Sequence, residues 1–88
     1  MFVGKVVGSI VSTRKNEKLI GSKFMIVESV MDGKADKLVA VDNVGAGIGE
    51  IVLVATGSAA RIGCNLSDAP IDAAIVGIVD DGVGLSGV

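Results

Sequence analysis

The sequence predicts an all-β fold: a small five-stranded barrel with one short helix. Three observations lead there. Val39, Val41, Ile51, Val52 and Val54 are β-branched and crowd one stretch, which suits a pleated surface. Thirteen glycines against one proline suit tight bends and sharply coiled strands. At 88 residues the chain has no room for the long crossover helices that a parallel sheet with helices on both faces would need.

Residues 2–13 place apolar side chains at 2, 3, 6, 7, 10 and 11, a spacing a helix also uses. Gly4, Gly8, the valines, Ile10 and Thr13 decide for a strand, and its alternate glycines let it coil as a small barrel requires. Arg14 to Lys18 reads as a charged hairpin tip, a solvated turn rather than a patch for an anionic ligand. Leu19 and Ile20 lead through Gly21 into a strand over Lys23–Val30. Asp32-Gly33 is a turn signal, and its acids lack the alternating spacing of a calcium loop. The next strand, Lys37–Asn43, enters the stretch around which the chain is organised, Val39 to Arg61.

That stretch reads as a strand, a glycine loop, an apolar strand and one helical turn with Ser58 as N-cap. From Ile51 to Ala55 there is no polar residue, so both faces of the strand want cover. With no helices to supply it, another copy of the chain is the expected cover. Residues 62–69 read as loop around the single proline, Pro70. Ile71–Asp80 is a fifth strand, again apolar on both faces, and the glycine-rich tail 81–88 either frays or lies along a neighbour. One domain over residues 1–88, closing as an OB-like antiparallel barrel, is the simplest sum.

Composition narrows the function. The net charge of −2 and only two aromatic residues, Phe2 and Phe24, argue against a nucleic-acid binder, which needs a basic stripe and stacking rings. No run of about 18 apolar residues predicts a membrane helix. The N-terminus meets Gly4 and Lys5 at once, unlike a signal peptide. A core of Val, Ile, Ala and Leu without large rings predicts weak stability alone, which association remedies.

The motifs yield little chemistry. Gly45-Ala46-Gly47-Ile48-Gly49 lacks the spacing of a dinucleotide loop, and Gly-Lys-Ser/Thr is missing too. It reads instead as a place where backbones approach closely, such as copies around a symmetry axis. The chain has no histidine, so neither Ser58 nor the single cysteine, Cys64, has a histidine base to activate it. Cys64 reads as a small buried filler. Arg61, in apolar surroundings, should want a carboxylate, with Asp42 or Asp72, within or between chains, as partners. Asp80 and Asp81 point to opposite faces of a strand, and they and Asp68 read as solvated carboxylates. No catalytic, cofactor or metal site is expected.

These residues resemble the EutN/CcmL family, the vertex proteins of bacterial microcompartment shells. The resemblance rests on five pieces in order. Gly4-Lys5-Val6-Val7-Gly8 with Thr13 comes first, then Leu19-Ile20-Gly21-Ser22-Lys23. The third piece runs from Val39 to Glu50, the fourth is Gly57-Ser58-Ala59-Ala60-Arg61, and the last runs from Pro70 to Asp80. Ala59 stands where the family has serine as often. The resemblance implies a barrel that assembles into a homopentameric ring at the corners of a polyhedral shell. It also implies hexameric shell proteins as neighbours in the facets, metabolic enzymes inside, a place in the bacterial cytoplasm, and no catalysis. Asp42, Gly45, Ala46, Gly47, Ile48, Gly49, Arg61 and Asp72 are then expected at a subunit interface or an axial loop. The competing reading is an OB-like module that binds single-stranded nucleic acid or a small ligand; an enzyme with a nucleotide in the glycine loop is a third.

Overall fold

The computed structural model describes residues 1–11, 16–30, 36–64 and 69–80. Five strands appear in chain order: β1 (Phe2–Ile10), β2 (Lys23–Ser29), β3 (Lys37–Asp42), β4 (Ile51–Thr56) and β5 (Ala73–Ile78). A single 3-10 turn at Glu17–Leu19 precedes β2, and the helix α1 (Ser58–Gly63) joins β4 to β5. The strands close in the order β1-β2-β3-β5-β4, with β4 returning to β1. The parts of the sequence reading that involve Thr13, Arg14, Asp32-Gly33, Asp68 and the tail from Asp81 lie outside the described residues.

The closure differs from the expected antiparallel barrel at one joint. Four neighbouring pairs are antiparallel, but β3 and β5 run parallel, joined at Val41–Ala74 and Asp42–Ile75. An odd ring of strands cannot alternate direction all the way round, so one pair has to be parallel. The seam falls where α1 turns the chain back into the barrel between β3 and β4.

Registers sort the side chains. Val6 opposes Val27, which opposes Leu38, and this layer points inward; Lys5 opposes Glu28, which opposes Lys37, and this row of alternating charge points outward. A register shift between Val6 and Gly8 bends β1, and a second shift lies between Leu53 and Val54 on β4. The interior is filled chiefly by Val6, Met25, Val27, Val52, Val54 and Ile75, all at most 2 % exposed. A second, smaller core lies outside the barrel wall, where Ala60 and Cys64 cover Val41, Ile71 and Ala74. Thus β4 finds cover within the chain for Val52, Val54 and Ala55, while Ile51 and Leu53 stay half-buried on the outer face.

Two local readings need correction. The helix opens at Ser58, but Ser58 is not its cap: Gly57 is the N-cap residue at φ 63, ψ −141, and no side chain caps the helix. Only glycine takes that conformation cheaply, and it lets the Gly57 N–H donate to the Asp72 carbonyl at 2.8 Å. The helix also runs on through Gly63, into the segment read as loop, and ends with the Cys64 N–H donating to the Ala60 carbonyl.

Candidate assembly surfaces and the glycine loop

The loop from Asn43 to Glu50 is held by its own chain. Asp42, at the end of β3, accepts from the N–H groups of Val44 (3.0 Å) and Gly45 (3.2 Å) through Oδ1, an Asx-type turn. Its other oxygen lies 3.6 Å from Lys23 Nζ, which also donates to the Ala46 carbonyl at 3.4 Å. Glu50 reaches back so that Oε1 accepts from the Gly47 N–H at 2.6 Å, a short charge-assisted bond. Across the barrel end the Gly49 N–H donates to the Val6 carbonyl at 2.8 Å, and the Val6 N–H donates to the Glu50 carbonyl at 3.0 Å.

These bonds have a chemical consequence. The N–H groups of Val44, Gly45, Gly47 and Gly49 are consumed within the chain, so they do not form the cradle of free donors that holds a phosphate. Gly45 (φ 82) and Gly49 (φ 94) are glycine because of their left-handed backbone; a Cβ on either would meet nothing within 4 Å. Ala46 turns inward, fully buried as a stopper of the main core, whereas Ile48 is 67 % exposed at the loop's tip. The five loop residues therefore split between core and surface.

Arg61 has a different partner from the expected one within its chain. Its Nη1 donates to the Ile71 carbonyl at 3.0 Å, tying α1 to the segment that enters β5. Asp42 is occupied by Lys23 and the loop amides, and Asp72 is an exposed residue whose carbonyl accepts from Gly57. Cys64 is buried, as its sequence context suggests. Burial, and secondarily the negative charge of Asp42, push its thiol above the ordinary value of 9.0. A recess of about 150 Å³ is lined by Leu19, Phe24, Val39, Val41 and Ile71, among others.

Lys23 and Glu50 escaped the sequence reading as loop-holding residues. The signal was present: an Asp three residues before a glycine marks an Asx turn, and Glu50 lies three residues after the Gly47 amide it caps. Among the described residues no three His, Cys, Asp or Glu side chains gather to hold a metal ion.

Known proteins resemble more than nine-tenths of this chain. The family model described as ethanolamine utilisation protein EutN/carboxysome matches residues 1–80. The bacterial microcompartment shell vertex protein GrpN of Rhodospirillum rubrum is 49 % identical over 85 residues, covering 91 % of this chain and 93 % of its own. The shell vertex protein PduN of Salmonella typhimurium is 45 % identical over 87 residues, with 91 % and 96 % covered. A solved structure of the GrpN pentameric microcompartment shell protein superposes with a TM-score of 0.80 at 48 % identity, covering 92 % of this chain and 94 % of that one. With the barrel, the glycine loop and the end-to-end match in place, this chain belongs to the EutN/CcmL family.

Proposed function

We propose that this chain is a structural shell protein, five copies of which close into a ring that fills a vertex of a bacterial microcompartment. The observation that carries the reading is the end-to-end similarity to proteins named for that role, one of them solved as a pentameric shell protein. The role is geometric. A five-fold unit set among hexameric facet proteins supplies the curvature that closes a flat layer, and it needs no reacting group. The protein is accordingly not an enzyme, and its place is the shell within the bacterial cytoplasm.

The same reading gives the loop a place. Ile48 and the outward glycines at 45 and 49 stand toward neighbouring copies near the ring axis, while Ala46 anchors the loop in its own barrel. Arg61 spends one donor on Ile71, and a guanidinium has five, so it retains donors for a carboxylate of the adjacent copy.

Native mass spectrometry of the purified protein tests this reading. A five-fold species that survives dilution supports it. A six-fold ring would remove the corner geometry, and a stable monomer would remove assembly altogether.

A further inference from the structure

Two transverse rows of apolar residues mark the outside of the barrel. The first crosses β1, β2 and β3 through Gly8, Ile26 and Val39, which are cross-strand neighbours. The second crosses β1, β4 and β5 through Val3, Leu53 and Gly77. Each row holds a glycine under a large neighbour. A Cβ on Gly8 would meet Ile26 Cδ1 at 3.4 Å, and one on Gly77 would meet Leu53 Cδ1 at 3.4 Å, so each long side chain lies flat across the gap its glycine leaves. The result is two level apolar faces where outward strand positions would ordinarily be polar. Val39 is 48 % exposed, and Ile26, Val3 and Leu53 are half-buried.

The rows share only β1, and there they sit five residues apart, about 14 Å along the strand because the bulge after Val6 matches that span to four residues of the partner strand. With β2 and β3 carrying one face and β4 and β5 the other, the faces look away from each other across the barrel. A two-fold dimer uses a single patch twice and would leave the second face wet. A head-to-tail contact joins unlike patches, covers both faces on every copy, and closes into a ring when its rotation allows.

The geometry points to a committed pairing: the Gly8–Ile26–Val39 face of one copy seats on the Val3–Leu53–Gly77 face of the next. The occupant of each face is a second copy of this chain. This rests on the homo-oligomeric ring proposed above, which the pentameric relative supports, and adds which surfaces make its contacts.

The test uses two full-length variants, Val39→Lys and Leu53→Lys, each placing an unpaired ammonium in one face and sparing the other. Alone, each is expected to lose its ring to monomer in native mass spectrometry, with a folded circular dichroism spectrum. Mixed one to one, they are expected to give a heterodimer and nothing larger, because each variant retains the face the other lacks. If Leu53→Lys fails to fold, Gly77→Lys takes its place, since its added Cβ makes only a contact that the flexible end of Leu53 relieves. Rings persisting in either folded variant, or a mixture that stays monomeric, would overturn the pairing while the wild-type ring stands. A wild-type chain that is itself monomeric would instead show that the assembly reading has failed, and the pairing with it.

Discussion

Gly4 offers a sharp test of how tightly the barrel is filled. It faces inward between Ser29 of β2 and Val52 of β4. A Cβ added there would collide with Val27 Cγ1 and lie 3.1 Å from the Glu28 carbonyl oxygen. Val27 is fully buried, and a β-branched side chain has little rotamer freedom with which to retreat. Gly4→Ala is therefore an overpacking substitution, expected to cost about 2 kcal/mol. Val27→Ala removes two methyl groups, about 1.6 kcal/mol of transfer free energy, and about 2–3 kcal/mol once the cavity is included. The double variant should cost less than the sum by about 1–2 kcal/mol, because the new Cβ occupies part of the vacated space. Thermal unfolding followed by circular dichroism measures all three, at one protomer concentration because assembly adds to apparent stability. At about 4–8 °C per kcal/mol for a domain of this size, the coupling alone is several degrees. Costs that add within about 0.5 kcal/mol would refute the collision as the reason for glycine at this position.

Three further outcomes are expected. Gly49→Ala should lower stability by about 1–2 kcal/mol through its left-handed backbone alone; a urea midpoint equal to wild type would contradict the φ of 94. The raised Cys64 ionisation makes a pH prediction. The folded state holds the thiol proton more tightly than the unfolded chain does, so this stabilisation is complete below the ordinary thiol value and is lost as pH rises through the folded one. The urea midpoint should fall on the alkaline side, and a Cys64→Ser variant that falls just as steeply would assign the loss to other groups. Arg61→Ala is expected to weaken the ring, read by native mass spectrometry; an oligomer unchanged on dilution would end its bridging role.

The barrel was legible because its strands carry β-branched runs between glycine-marked turns, and all five lie within the stretches those residues mark out, although the apolar spacing of β1 suits a helix equally well. What escaped were features set by the whole ring rather than by a local pattern. The parallel β3–β5 seam follows from counting strands, yet no residue announces it. The helix opens at Ser58 as the sequence suggests, but its N-cap lies one residue earlier: Ser58 has a capping side chain and Gly57 has none, yet Gly57 takes the cap and donates to the Asp72 carbonyl. Of the proposed site, the glycine loop stood out as a motif. The loop that turns Ala46 inward and Ile48 outward is held by a bond that Lys23 donates and by bonds that Asp42 and Glu50 accept, which no spacing rule displays. Arg61 was recognised as needing a partner, but a backbone carbonyl leaves no mark in a sequence.

The place of β5 between β3 and β4 has a consequence for how the protein is made. The fifth strand of the barrel to leave the ribosome is an inserted stave, so the ring does not close until it arrives. Making residues 57–78 takes about 1–4 s at translation rates of about 5–20 residues per second. Through that interval β3 and β4 each present an unpaired margin, the kind of edge that recruits strands from other chains. A premature stop before Ala73 would accordingly yield an open four-stranded sheet that invites aggregation rather than a smaller barrel.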